Sequence, residues 1–188
     1  MASDGGLVRA TACAIVNKLN SGEVTPLDLL DVLERRIAEV DGKVNALPTL
    51  CFDRARTHAR ALMKKPAGDR GLLAGMPIPI KDLFNVEGVL NTQGSPIFKD
   101  TIAKHSDIVV ETLEHNGAVV YAKSNTPEFG AGANTFNEVF GATLNPWDLS
   151  RSAARAYPGR QDRSQSDRAR PDGAQCRGPC VTARCHVR

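Results

Sequence analysis

The stretch HSDIVVETLEHNGAVVYAKSN, residues 105–125, indicates the class of the fold. Its first half predicts a helix that is capped by Asp107 and that ends at Asn116-Gly117, a typical stop signal. The run AVVYA, residues 118–122, follows directly and is apolar throughout, as in strands buried on both faces. A helix that leads through a glycine turn into a buried strand is typical of layered α/β proteins.

A second buried strand is predicted within GLLAGMPIPIKDLFNVEG, residues 71–88, because Met76, Ile78 and Ile80 form a short apolar run bounded by glycines. The region before it predicts three helices. The first covers residues 7–19 and stops at Ser21-Gly22, the second begins after an N-cap at Thr25 with Pro26 in its first turn and stops at Gly42, and the third covers about residues 54–65 with Ala55, Ala59, Leu62 and Met63 facing inward.

The composition is that of a globular protein with one domain of ordinary size: 188 residues, of which 41% are hydrophobic and 24% charged. No apolar run approaches the ~18 residues that a membrane-spanning helix needs, and the N-terminal residues lack the basic region of a secretory signal. We therefore expect a cytoplasmic protein without a membrane partner.

Charge is distributed unevenly along the chain. Residues 1–150 contain 15 Lys and Arg against 18 Asp and Glu, whereas residues 151–188 contain 9 Arg, no Lys and 3 Asp. From Ser152 onward the apolar periodicity is also lost, and such a segment buries too little surface to offset its ordering entropy. The predicted organisation is an ordered region over residues 1–151 and a disordered Arg-rich tail over residues 152–188.

The tail offers weak signals for a metal site and for nucleic-acid binding. Cys176, Cys180, Cys185 and His186 are residue types of a zinc site, but their spacing differs from that of paired zinc knuckles, so no metal site is expected. The arginines favour weak, salt-sensitive attraction to nucleic acid. Tyr157 is the only aromatic residue among them, so specific nucleic-acid binding is not expected.

Before the tail, Lys81 is the residue that most clearly suggests a catalytic role. It ends the apolar run MPIPIK, and a lysine at the end of a buried strand would be partly desolvated. Desolvation disfavours the charged form of a lysine, so Lys81 could act as a base. The alternative is structural: the side chain reaches solvent or pairs with Asp82.

Three blocks carry a resemblance to a known family: GMPIPIKD at residues 75–82, KSNTPEFG at residues 123–130 and FGATLNPWD at residues 140–148. Together, over about residues 7–151, the chain resembles the amidase signature family. The resemblance implies the N-terminal part of an α/β/α sandwich around a mixed β-sheet. It also implies hydrolysis of the C–N bond of a small-molecule amide through an acyl-serine intermediate, without metal or organic cofactor. Within the family, the second block looks more like stand-alone amidases than like the A subunit of the aminoacyl-tRNA amidotransferase.

The resemblance assigns roles to individual residues. Lys81 matches the lysine of the family's Ser–cisSer–Lys triad, which accepts a proton through the bridging serine. Gly130 falls on the loop that approaches the substrate in the family, and is a candidate substrate-binding residue. Gly94-Ser95 and Asn125 match positions that look structural and fix the turns around the site.

The sequence departs from the family after Trp147, where a glycine- and serine-rich segment should supply the bridging serine. Here the chain reads SAARAYPGRQD, residues 152–162, with Ala156 and Tyr157 about where the paired serines should be. Nothing in residues 176–188 resembles the loop of the nucleophilic serine. We therefore expect no intrinsic activity. A GC-rich coding region read out of frame, or a mis-assigned splice junction, would produce such a tail.

The same departure implies an incomplete sheet, since most of the family's sheet follows the missing serines. Exposed strand edges and apolar surface would favour self-association or aggregation. An alternative function is that of a non-catalytic interaction protein, in which the amidase-like part docks onto a full-length amidase and the basic tail adds an electrostatic contact.

Overall fold

The computed structural model describes residues 4–153, with side chains from residue 6 onward. From residue 154 the Arg-rich tail lies outside the described residues, and so do its candidate zinc ligands. The helices are α1 Asp4–Val8, α2 Ala12–Ser21, α3 Pro26–Val44, α4 Phe52–Met63 and α5 Ile108–His115, and the strands are β1 Thr49–Leu50, β2 Pro77–Lys81, β3 Val119–Ser124, β4 Phe136–Asn137, β5 Gly141–Ala142, β6 Leu144–Asn145 and β7 Asp148–Ser152.

The main sheet of the described region has three strands in the order β1-β3-β2. The central strand β3 runs parallel to β2 and antiparallel to β1, so the sheet is mixed. Val119 to Lys123 are all buried, which agrees with the prediction of a strand covered on both faces. β4 pairs with β5 and β6 with β7 in two small hairpins that follow the sheet.

Helices pack on both faces of this sheet. Leu30 of α3 and Phe52 of α4 share one apolar cluster with Val119 and Tyr121. On the other face, Val110 of α5 shares a cluster with side chains from β2, β3 and the loop after β2. A third cluster joins α1, α2 and α3. The predicted α/β class is therefore confirmed.

A bulge interrupts the pairing of β2 with β3. Ile78 pairs with Val120, but the next residue, Pro79, pairs with Ala122, so Tyr121 is an extra residue on β3. Pro79 has no N–H to donate, which suits it to an irregular point on a strand at the sheet edge. The bulge reverses the side-chain alternation beyond it. Lys123 consequently points to the α5 face, whereas Tyr121 packs against α3 and α4.

The predicted caps of the first helices are largely correct. Gly22 ends α2 in a left-handed conformation, and the Thr25 hydroxyl accepts a hydrogen bond from Asp28 N while the Asp28 carboxylate accepts one from Thr25 N. The first predicted helix is divided, because Thr11 caps a new helix there and separates α1 from α2. The predicted inward face of α4 is confirmed for Ala55, Ala59 and Leu62, which are buried, while Met63 is half-buried.

The predicted stop at Gly42 is wrong, because α3 continues through Gly42 to Val44 and is capped by Asn45, which has φ 56°. Asn45 Nδ2 donates to the carbonyl oxygens of Phe140 and Ala142, which lie at and beside β5. The Asp41 carboxylate also accepts hydrogen bonds from the two N–H groups after Asn45. Contacts with a distant part of the chain, rather than local glycine propensity, therefore set the end of this helix.

Glu114 connects the helices of the two faces. Its carboxylate accepts a bidentate pair from Arg54 of α4, at 2.6 and 3.1 Å, and His58 Nδ1 lies 3.6 Å away. Burial by itself disfavours the charged form, but His58 and Arg54 together outweigh it and lower the pKa of Glu114 from 4.5 to about 2.

This pKa difference makes the fold sensitive to acid. A lowered carboxyl pKa stabilises the protein above pH ~4.5, and that contribution is lost as the pH falls towards ~2. We expect Glu114→Gln to lower the free energy of unfolding at pH 6 by about 1–2 kcal/mol after allowance for partial solvent exposure, and the difference to vanish near pH 2. Urea unfolding across this pH range measures it. Glu39→Gln, in an exposed ion pair, is the control and should change little; a pH-independent effect of Glu114→Gln would contradict the assignment.

Gly117 joins α5 to β3 at the predicted helix end and has φ 85°. A Cβ atom at this position would overlap the carbonyl oxygen of Arg70, so any other residue would force the backbone to shift and would also adopt an unfavourable left-handed conformation. Gly88 has φ 75°, but a Cβ atom at Gly88 would meet no other atom within 4 Å. Only its backbone conformation therefore favours glycine.

Substitution of these two glycines separates the cost of a left-handed backbone conformation from the cost of a steric overlap with Arg70. We expect Gly117→Ala to lower the free energy of unfolding by about 3 kcal/mol, because the backbone must shift. Gly88→Ala should cost only about 1 kcal/mol, the price of a left-handed alanine. Chemical denaturation of both variants measures the difference, and equal losses would show that the Arg70 contact is unimportant.

Candidate active site

Lys81 is the last residue of β2 and lies opposite Ser124 of β3, at the edge of the sheet where both parallel strands end. Its side chain is exposed. The expected partial desolvation of Lys81 is therefore not seen in the described part of the chain, and the predicted alternative that its side chain reaches solvent agrees with the structure. The reason is strand alternation: Ile80 and Asp82 point to the α5 face and are buried, whereas Lys81 and Pro79 point to the opposite side, which is open at this edge.

Asp82 forms an ion pair with Lys123, so the predicted alternative of a Lys81–Asp82 pair is also incorrect. Lys123 Nζ lies 2.9 Å from Asp82 Oδ1, and the two side chains are 0% and 1% exposed. Nζ also lies 2.9 Å from Asn91 Oδ1 and 3.5 Å from the carbonyl oxygen of Leu90. Burial lowers the pKa of Lys123 below the ordinary lysine value, and the hydrogen bond and charge of Asp82 limit that shift.

Sequence reasoning missed Lys123, although a signal was present. Lys123 ends the apolar run AVVYAK in the same way that Lys81 ends MPIPIK. The two patterns are equivalent, and the bulge in β3 decides which lysine is buried.

The loop after β2 wraps around Asp82. Thr92 N and Thr92 Oγ1 donate to its carboxylate, and Thr92 Oγ1 accepts a hydrogen bond from Gly94 N. Ser95 Oγ donates to Glu128 Oε1 at 2.7 Å, which ties this loop to the one after β3. The structural role predicted for Gly94 and Ser95 is consistent with these contacts.

A second set of amides extends from Lys123 to α5. Asn91 Nδ2 donates to Asn85 Oδ1, and Asn85 donates from both its backbone N and its Nδ2 to the Asp107 carboxylate. Asp107 occupies the predicted N-cap position, but its side chain makes no capping hydrogen bond. The carboxylate holds the loop after β2 instead.

Gly130 lies in the turn Glu128–Gly130, beside the loop that follows Lys81. It has φ 70°, and a Cβ atom there would lie 2.7 Å from Leu83 Cδ1. The preceding residue, Phe129, also has positive φ, at 51°, and its N–H donates to the carbonyl oxygen of Gln93. The structure thus brings Gly130 near Lys81 through Leu83. Its contact with substrate stays a prediction, as does the catalytic role of Lys81.

Asn125 anchors the segment that leads towards the tail. Asn125 Nδ2 donates to Thr143 Oγ1 and to the carbonyl oxygen of Gly141, while Asn125 Oδ1 accepts from Thr126 N and Asn137 Nδ2. All hydrogen-bonding positions of the amide are used within the protein. This supports the structural role predicted for Asn125. The Thr126 hydroxyl is buried and has no partner in the described region.

Among residues 4–153, no group of three His, Cys, Asp or Glu side chains is arranged to hold a metal ion. None of the described helices combines the length and the apolar character that a membrane span requires. Ala156 and Tyr157, the residues at the expected serine positions, lie outside the described residues.

Comparison with known proteins gives a consistent family assignment. A model of the amidase family matches residues 28–154. The A subunit of glutamyl-tRNA(Gln) amidotransferase from Streptomyces avermitilis is 37% identical over 147 residues, which is 77% of this chain and 29% of that protein. The corresponding subunit from Acidothermus cellulolyticus is 39% identical over the same length and coverage. The chain thus spans less than a third of the curated relatives it matches.

Solved structures agree. A 6-aminohexanoate cyclic dimer hydrolase complexed with substrate is 30% identical, with a TM-score of 0.70 over 78% of this chain and 30% of that one. A bacterial aryl acylamidase of the amidase signature family is 28% identical, with a TM-score of 0.70 over 78% of this chain and 31% of that one. The predicted amidase-signature α/β/α fold is confirmed, and the chain covers part of it.

The buried ion pair should be highly sensitive to loss of one partner. We expect Lys123→Met to lower the free energy of unfolding by about 3–5 kcal/mol, because it leaves the Asp82 carboxylate buried without its cation. Arg36→Met, which removes the exposed Arg36–Glu39 pair, should cost less than about 1 kcal/mol. Urea denaturation measures both, and a small loss for Lys123→Met would contradict the importance of the pair.

Thr126 and Thr143 provide a matched test of hydroxyl pairing. Thr126→Val should raise the free energy of unfolding by about 1 kcal/mol, because it removes a buried hydroxyl that has no partner. Thr143→Val should lower it by about 1–2 kcal/mol, because the Thr143 hydroxyl donates to the Asn45 carbonyl oxygen and accepts from Asn125. Thermal denaturation compares the two; a loss of stability in Thr126→Val would indicate an unrecognised partner.

Proposed function

The chain belongs to the amidase family, and from this premise we propose that it is the N-terminal part of a serine hydrolase of carboxamide C–N bonds, with Lys81 as the triad lysine. The observation that carries the proposal is the position of Lys81. It ends β2 where the parallel strands β2 and β3 finish, a common place for active sites in α/β proteins. Gly130, the proposed substrate-binding residue, lies beside the same loop through its contact with Leu83.

The reaction is an acyl transfer. A serine hydroxyl attacks the amide carbonyl and loses its proton through the bridging serine to a neutral lysine. The lysine then returns a proton to the departing amine, and water hydrolyses the acyl-serine. Lys81 is the proton acceptor and donor in this scheme. Its role requires a covered, poorly solvated site, so further parts of an intact amidase would have to cover the exposed side of β2.

We also propose that the 188-residue chain has no amidase activity. The triad works as a unit, and a lysine without the two serines has no nucleophile to activate. Ala156 and Tyr157 stand about where the paired serines are expected. Ser95 is buried and committed to a hydrogen bond with Glu128. Ser124, opposite Lys81, belongs to strand β3 and not to a glycine-rich turn that would present it with N–H donors.

The origin of the tail determines what the intact product is. We propose that residues 152–188 result from reading a GC-rich region in another frame or across a mis-assigned junction. Translation of the underlying DNA in the other two frames beyond codon 151 tests this. A glycine- and serine-rich amidase continuation is the expected result, and its absence from both frames would refute this origin.

Activity assays test the proposed chemistry. The chain as it stands should release no ammonia or amine from carboxamides, measured by a coupled ammonia assay with benzamide and acetamide. If the other frame supplies an amidase continuation, the restored protein should hydrolyse a carboxamide, and Lys81→Ala should reduce its kcat by several orders of magnitude. Turnover by the 188-residue chain that Lys81→Ala abolishes would contradict the proposed inactivity.

A second candidate function is that of an interaction protein that docks onto a full-length amidase. It is favoured by large apolar side chains that are exposed in the segment after the three-stranded sheet. Phe136 is 64% exposed and Trp147 is 91% exposed. Size-exclusion chromatography of the purified chain, alone and with an intact amidase, distinguishes the candidates. A defined complex with the amidase supports the docking function, whereas insoluble or self-associated chain supports the first proposal.

The relatives suggest two alternative activities for an intact protein: that of a stand-alone amidase and that of an amidotransferase A subunit. The curated relatives are amidotransferase A subunits, at 37% and 39% identity, and the solved hydrolases are near 30%. We retain the stand-alone amidase as the proposal, because the sequence block at residues 123–130 resembles stand-alone amidases more than the amidotransferase subunit. Hydrolysis of simple carboxamides by the restored protein without other subunits supports it, whereas activity only within a multi-subunit assembly would favour the amidotransferase subunit.

A further inference from the structure

Two lysines lie at the carboxyl ends of neighbouring strands, Lys81 as the last residue of β2 and Lys123 as the residue before the last of β3, and the proposed chemistry uses only the exposed one. We propose that Lys123 is a positioning residue for Lys81: its buried ammonium neutralises Asp82 and ties the ends of β2 and β3 together. It thereby fixes where Lys81 leaves the sheet and keeps the Asp82 charge from holding Lys81 protonated. The importance of this for catalysis rests on the proposed function of Lys81, whereas the physical coupling between the two lysines does not.

The geometry places Lys123 at the joint between the strands. Asp82, the residue after Lys81, donates its backbone N–H to the carbonyl oxygen of Ser124, and Ser124 follows Lys123. The hydrogen bond from Lys123 Nζ to Asp82 Oδ1, at 2.9 Å, connects the ends of the same two strands through side chains. Lys81 therefore sits one residue from a position that is held through both its main chain and its side chain.

The charges around Lys123 are few. Asp82 contacts it directly, and Asp107 of α5 is linked to it through Asn91 and Asn85. Cys51, at the start of α4, lies close enough to interact electrostatically, but burial raises the pKa of its thiol to about 11. Cys51 is therefore neutral near pH 7, and Lys123 is the cation that balances Asp82.

Removal of Lys123 should consequently affect Lys81. The Asp82 carboxylate would keep its charge but lose its buried cation, and its uncompensated charge would act on the ammonium of Lys81, the preceding residue in the chain. A lysine held as ammonium cannot accept a proton from a serine. A purely structural role for Lys123 makes a different prediction, because a loosened strand end would leave the Lys81 amine equally or more reactive.

Amine acetylation measures this coupling in the 188-residue chain without requiring activity. The folded protein is treated at pH 8 with a limiting amount of a water-soluble acetylating reagent, and modification of each lysine is quantified by peptide mass spectrometry. The exposed Lys65 at the end of α4 is the internal reference. In the unsubstituted chain, Lys81 should be modified and Lys123 should not.

The variants separate charge from structure. We expect Lys123→Met to lower the Lys81-to-Lys65 modification ratio by about threefold or more. The double variant Lys123→Met/Asp82→Asn, which removes both charges, should restore the original ratio, and so should Lys123→Arg, which keeps the cation. Circular dichroism confirms that each variant is folded. An unchanged or increased ratio in folded Lys123→Met would overturn the proposal.

If Lys123→Met does not fold, Lys123→Gln gives the same test, because it removes the cation but keeps a polar amide at this position. The Lys81-to-Lys65 ratio should again fall by about threefold, and no change would overturn the proposal. Failure of the coupling would be seen in these ratios. Failure of the proposed function would be seen instead in the activity of the restored protein, whatever the modification ratios are.

Discussion

The buried contact between Lys123 and Asp82 is the interaction on which the carboxyl end of the sheet depends. Removing two charges from water costs several kcal/mol per ion, and their attraction offsets this only when the remaining hydrogen-bonding positions are also filled. Asn91 and the Leu90 carbonyl oxygen fill those of Lys123, and Thr92 fills those of Asp82. The loop after β2 must therefore take one path, because any other path would leave a buried charge unsatisfied.

This constraint reaches the rest of the candidate site through short polar links. Gly94 and Ser95 continue the loop from Thr92 and attach it to Glu128, in the turn that contains Gly130. Asn125, two residues after Lys123, holds the segment that precedes β6. The charge pair and these amide and hydroxyl contacts hold the turn of Gly130 against Leu83, two residues after Lys81, although 49 positions of sequence separate Lys81 from Gly130. A backbone fixed in this way holds the side chains of a site in a defined relative geometry.

Local sequence signals predicted most of the secondary structure because their causes are local. Thr25 and Asp28 form a capping box with each other, and Gly117 meets a steric requirement of its own turn. Predictions were wrong where a distant contact decided the outcome. Gly42 did not end α3 because Asn45 reaches carbonyl groups near β5. Asp107 lies at the predicted N-cap position of α5, but its carboxylate holds Asn85 instead of capping the helix. The energies of such contacts exceed local propensities, which amount to about 1 kcal/mol or less per residue.

The sequence by itself determined the α/β class, the two buried strands and the resemblance to amidases. These follow from periodicity and from motifs that are contiguous in the chain. Only the tertiary structure decided which lysine is buried. MPIPIK and AVVYAK both end an apolar run in lysine, but one extra residue in β3 turns Lys123 inward to Asp82 while regular alternation leaves Lys81 outside. A bulge arises from the pairing of two strands, so neither strand's sequence specifies it alone.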